Sequence, residues 1–136
     1  MMTGGLFNKY APYIAALPAR DVLTKDDLLI PTFLLHQENE IEIYYAPFDD
    51  VNEGAKIVLV GITPGWTQME IAYRCARQEL QRGMGLGEIC AYAKRQASFA
   101  GSMRKNLITG WSFKCSGHRI KYIAFQRPPR LTSQHL

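Results

Sequence analysis

Apolar residues at Leu6, Tyr10, Tyr13, Ile14 and Leu17 recur at the spacing of one helix face, and Pro18 stops the run. This predicts a short amphipathic helix over residues 6–17 whose aromatic stripe faces a core. Thr24, followed three residues later by Asp27, has the form of a helix start with a carboxylate in its first turn. Leu28, Leu29 and Ile30 then extend an apolar segment as far as Pro31, so a second helical stretch is predicted, with His36 on it or at its exit. From Glu40 to Tyr45 the period is two: Ile41 and Ile43 fall on one face of an edge-like strand and the glutamates on the other. Asp49 to Ala55 is polar, contains Gly54 and reads as a turn. Ile57, Val58, Leu59 and Val60 form a continuous apolar, mostly β-branched run, the pattern of a central strand covered on both faces.

Beyond a small-residue loop, Thr67 and Glu70 have the spacing of a capping box. The predicted helix buries Ala72, Tyr73, Ala76 and Leu80, leaves Arg74, Arg77, Gln78 and Gln81 largely outside that face, and stops at Gly83. Met84 to Gly87 reads as a loop, Glu88 to Ala97 as another helix and Ser102 to Ile108 as the start of one more. After Ile108 the pattern degrades. Gly110 and Gly117 interrupt it, Pro128 and Pro129 adjoin, and Ile120 to Phe125 is the one stretch whose pattern allows a strand. The chain therefore divides into a domain over 1–109 and an atypical basic tail over 110–136, expected to be disordered.

The 136 residues suffice for one ordinary domain and not for two. Charge changes the picture more than composition does. Through Glu70 there are ten acids against Lys9, Arg20, Lys25 and Lys56, whereas beyond it only Glu79 and Glu88 oppose twelve lysines and arginines. Clustered cations gain affinity from phosphate neutralisation, so the asymmetry points to a polyanionic partner, with solvated helix faces rich in Lys and Arg as the equal alternative. Cys75, Cys90 and Cys115 are odd in number and widely spaced, which suggests neither a disulfide framework nor a metal site, and no cofactor is expected. No apolar run has membrane-spanning length and no basic flank leads an apolar leader, so the expected address is cytoplasmic, without a membrane partner.

The candidate chemistry lies in Gly61-Ile62-Thr63-Pro64-Gly65, where a strand would deliver its end into a loop that feeds a helix. Backbone N–H groups and the positive end of a helix dipole then meet at one point, which favours anions and polar base edges. The loop has neither the lysine of a phosphate-binding Walker loop nor the three-glycine spacing of a dinucleotide site.

This GITPG segment, within KIVLVGITPGWTQME and preceded by Tyr44-Tyr45-Ala46-Pro47-Phe48, resembles the first motif of the uracil-DNA glycosylase superfamily; the likeness extends over about Ile41 to Ile108. The resemblance implies an α/β three-layer sandwich with a mostly parallel sheet, here incomplete. It implies a DNA-repair hydrolase that flips a uracil-type base out of single-stranded or mismatched DNA and hydrolyses its bond to the sugar. On that reading Thr63 and Gln68 are the catalytic candidates. Gly61, Ile62, Pro64, Gly65 and Trp66 bind the base, and Arg74, Arg77, Arg104 and Lys105 contact DNA phosphates.

The sequence departs from the family in two places. Thr63 stands where the family carries a water-orienting Asn or Asp, and a hydroxyl is a far weaker base than a carboxylate. The family's His-Pro-Ser-like second motif is missing: neither His118 nor His135 precedes a proline. With the acid-free tail, this points to the N-terminal part of a longer protein, ended by truncation or a reading-frame change near Ile108. Two other readings stand beside the glycosylase: a non-catalytic nucleic-acid or nucleotide-binding module, and a structural or interaction fragment.

Overall fold

The computed structural model describes residues 5–56, 58 and 63–98. Helix α1, Leu6–Ala15, buries Phe7, Tyr10, Ala11 and Ile14, the i, i+3, i+4, i+7 stripe of an amphipathic helix. The face differs slightly from the one predicted, since Phe7 faces inward and Tyr13 is 53% exposed. No side chain of its own turn caps α1; instead the Asp49 carboxylate accepts the Phe7 N–H at 2.7 Å from 42 residues away. Helix α2, Lys25–Leu28, is a single turn whose Asp27 carboxylate accepts both the backbone N–H and the hydroxyl of Thr24 at 2.8 Å. That carboxylate lies below its ordinary pKa because the Thr24 bonds favour the ionised form.

A 3₁₀ turn, Pro31–Phe33, leads into β1, Leu34–Glu38, which pairs antiparallel with β2, Ile41–Tyr44. Asn39, at φ +53°, turns the chain between them, a conformation that asparagine tolerates better than most side chains. A bulge interrupts the register between Leu34 and His36. His36 therefore sits on a strand, 3.6 Å from Glu38, and not on a helix. The predicted strand over Ile41 and Ile43 is present, yet both isoleucines are exposed, Ile41 at 65%.

The expected three-layer sandwich with a mostly parallel sheet is overturned. Of the described residues about 52% are helical and 10% are in strands, all of them in one antiparallel hairpin. The physical reason lies in what fills the core, which is helix against helix rather than helix against sheet. The Ile57 to Val60 run lies outside the described residues except for Val58, which is exposed. The predicted elements over 102–108 and 120–125, and the boundary at residue 109, also lie outside them.

Helices α3, Trp66–Gln81, and α4, Leu86–Ser98, form a helical hairpin with the most extensive interface among the described elements. Fully buried alanines on both sides, Ala72 and Ala76 against Ala93 and Ala97, let the backbones approach closely. The turn between them is a Schellman motif. The Met84 N–H bonds the Glu79 carbonyl, the Gly83 N–H bonds the Leu80 carbonyl, and Gly83 takes φ +78° as the predicted stop.

Helix α1 packs on this pair through an aromatic cluster. Tyr10 stacks on Tyr45 with ring centroids 4.4 Å apart, and Phe33 meets Tyr73 at 4.9 Å. The Tyr73 hydroxyl donates to the Tyr45 carbonyl at 2.7 Å, which ties α3 to the chain leaving the β hairpin. On α4, the buried Lys94 donates to the Asp50 carbonyl, and desolvation pulls its pKa down.

Candidate functional site

Thr63, Pro64 and Gly65 lead directly into α3, whose N-cap is Gly65 in an extended conformation. At φ −77° this backbone is open to any residue, so Gly65 is not there for conformational freedom. A Cβ at Gly65 would lie 2.8 Å from the Gln68 Oε1, a contact that a turn of the flexible Gln68 side chain would relieve. Gln68 thus folds back over the loop, and its amide and the Gly65 backbone occupy one small volume. Thr63 and Gly65 are exposed, while Pro64, Trp66 and Gln68 are partly buried. Gly61 and Ile62, the other two residues of the predicted loop, lie outside the described residues.

The helix starts earlier than the expected cap. Met69 N–H bonds the Gly65 carbonyl at 3.0 Å, which places Thr67 inside the first turn. No side chain caps α3 and no acid occupies its first turn. The first N–H groups thereby keep their capacity to meet a polar ligand.

Glu70, expected to complete a capping box with Thr67, does something else. Only 6% exposed, it accepts the Leu23 N–H at 3.1 Å and the Arg74 guanidinium at 2.9 and 3.4 Å. Its carboxylate therefore clamps the segment before α2 onto α3 instead of turning toward the loop. The Glu70 bond in turn raises the Arg74 pKa.

The arginines expected on the outer face of α3 are both engaged. Arg74 holds Glu70, and Arg77, only 8% exposed, donates from Nε to the Leu17 carbonyl at 2.7 Å, 60 residues away. A buried guanidinium satisfied by a helix-terminal carbonyl anchors α1 to α3 and is turned away from a phosphate in solvent. The other two expected phosphate contacts, Arg104 and Lys105, lie outside the described residues.

Sequence reasoning missed one cation close to the loop. Lys25, the first residue of α2, places Nζ 5.9 Å from the centroid of the Trp66 ring. No local motif announces this, because 41 positions separate the two in sequence; the Glu70 clamp on Leu23 and the buried Leu23 and Leu28 side chains hold the segment that carries Lys25. Among the described residues no group of three His, Cys, Asp or Glu side chains could hold a metal ion. Likewise, no helix among them is long and apolar enough to cross a membrane.

No protein-family model matches the chain, and no solved structure does. Over 102 residues, 74% of its length, the chain is 46% identical to YoxB of Bacillus subtilis (strain 168), a protein described as uncharacterized. Those residues make up 39% of that relative, so the chain spans about two fifths of the length of the curated protein it matches.

Proposed function

We propose that the chain carries the base- and water-binding loop of a uracil-DNA glycosylase-like protein, which hydrolyses the N-glycosidic bond of a flipped uracil-type base in DNA. One observation carries this reading. The loop residues Thr63, Pro64 and Gly65 run straight into the uncapped N-terminus of α3, with the Gln68 amide folded over Gly65. Backbone donors and an amide suit the polar edge of a base, and the Thr63 hydroxyl or the Gln68 carbonyl can orient a water for attack on an oxocarbenium-like sugar. The site lies in a part of the chain similar to the glycosylase superfamily in sequence. The remaining elements of the reaction are assigned to the whole protein. Reduced, buried Cys75 and Cys90 fit a cytoplasmic setting.

A second reading is favoured by a specific observation. Glu70, a carboxylate of the early α3 helix, is spent on Leu23 and Arg74, which leaves the described loop residues with hydroxyl and amide groups but no carboxylate of their own. On this reading the same loop and cations bind nucleic acid without chemistry. Uracil release from single-stranded and mismatched DNA, by wild type and Thr63→Ala, decides between the two. Glycosylase function predicts release that falls about 100-fold in Thr63→Ala; DNA binding with no release by wild type supports the binding module.

A further inference from the structure

We propose that Lys25 is the cation that meets the phosphodiester backbone of a single-stranded nucleic acid beside the Pro64–Gly65 loop, with the Trp66 ring as the platform that holds it there. The inference rests on the nucleic-acid reading above and changes the roles within it. Arg74 and Arg77, the phosphate contacts expected from sequence, are held by Glu70 and by the Leu17 carbonyl. Lys25 is exposed and makes no ion pair among the described residues, while its Nζ lies over Trp66. Arg20, the neighbouring cation, is paired with Asp27 at 3.3 Å.

The two residues form a unit. Trp66 is partly buried and packs against the core, so its ring is fixed by α3. An exposed cation over a fixed aromatic face is biased toward that face, and only weakly, so the contact does not compete with a phosphate for the ammonium protons. A phosphate oxygen therefore gains a pre-placed donor without breaking an ion pair. In this arrangement Trp66 is a positioning residue for Lys25 and not the surface on which a base stacks. The exposed Asp26 beside Lys25 opposes the contact, which supplies an internal control.

The test is the salt dependence of binding of a fluorescein-labelled oligothymidylate to the full chain. Lys25→Gln is expected to weaken binding roughly 3- to 10-fold at low salt and to reduce the slope of log K against log salt by about 0.7, the value of one phosphate contact on a single strand. Lys25→Arg retains the slope, and Asp26→Asn tightens binding. Trp66→Leu, which keeps an apolar anchor, reproduces the loss in wild type and adds nothing in the Lys25→Gln background. Thermal melts of each variant establish that the fold is intact. An unchanged slope in Lys25→Gln overturns the assignment and leaves the loop's function standing. A Trp66→Leu loss that is equally large without Lys25 also overturns it, in favour of base stacking. Wild type that shows no salt-dependent binding sinks both this inference and the nucleic-acid reading on which it rests.

Discussion

Replacing Glu70 by Gln separates the two roles a carboxylate at the start of α3 can play. In the structure Glu70 accepts the Leu23 N–H and two Arg74 donors with its side chain 7% exposed. Glutamine keeps one oxygen for the Leu23 N–H and the Arg74 Nε–H, but it removes the negative charge and sets an NH₂ group against Arg74 Nη2, so the charge-assisted part of the clamp is lost. Such a bond contributes about 1.5–3 kcal/mol when buried; because Arg74 is 29% exposed and can turn to water, a cost near the lower end, about 1.5–2 kcal/mol, is expected. For a domain of this size that corresponds to a fall in Tm of roughly 5–7 °C. Glu70→Ala also orphans the Leu23 N–H and should cost about 3 kcal/mol. Urea denaturation with an unchanged m-value measures both, and Arg74→Met in the Glu70→Gln background should cost little more. Uracil release by Glu70→Gln, corrected for the folded fraction, should equal that of wild type. A stability change below about 0.5 kcal/mol refutes the clamp. A loss of release at unchanged stability makes Glu70 the base that activates water.

Three further outcomes follow from the packing. Gly83→Ala places a side chain at φ +78° with open space around it, so the cost is conformational, about 1 kcal/mol, visible as a lower urea midpoint. Asp49→Ala removes the distant cap of α1 and should cost at least about 1 kcal/mol, with faster hydrogen exchange in the first turn of that helix. Burial pushes the Cys90 thiol up to about 11 from its ordinary 9, so the folded chain keeps a proton that the unfolded chain gives up. Its contribution is complete below pH 9 and is lost as the pH rises towards 11. Tyr45 and Tyr73, raised by desolvation, add to the decline above pH 10, while Lys94, held low, opposes it. Cys90→Ala should flatten the stability profile between pH 9 and 11; an identical profile would exclude the thiol as a cause.

Periodicity made the helices legible, and partners distant in sequence account for what it missed. The spacing around Tyr10 and Ile14 located α1, and Ala72, Tyr73, Ala76 and Gly83 located α3 and its end, with α4 expected over Glu88 to Ala97, but their packing as a hairpin is not legible from the spacing. Alternation over Glu40 to Ile43 located β2, but a period of two does not say whether another layer covers the isoleucines, and none does among the described residues. Strand β1 lacks both alternation and β-branched residues, so only its pairing with β2 reveals it. Charge misled in a consistent way. Arg77, Glu79 and Lys94 are all buried, and Arg77 and Lys94 are satisfied by carbonyls at Leu17 and Asp50 that no local pattern connects to them. At the candidate site, Pro64 and Gly65 lie in the non-helical segment before α3, while the helix start was misplaced because Glu70 looked like a capping residue and proved to be a clamp.

The attachments of α3 to the chain before it, from Arg77 to Leu17, Glu70 to Leu23 and Tyr73 to Tyr45, are non-covalent and span 60, 47 and 28 residues. A protease cut in the exposed turn at Glu53 and Gly54 would sever the backbone and leave all three in place. The two halves then behave as complementing fragments: residues before the cut carry the carbonyls and the Leu23 amide, and α3 carries the side chains that seek them. Reassembly of a split chain would depend on α3, together with Lys94 of α4 at the Asp50 carbonyl, recognising the missing half, and Lys25 would return to Trp66 only when that recognition succeeds.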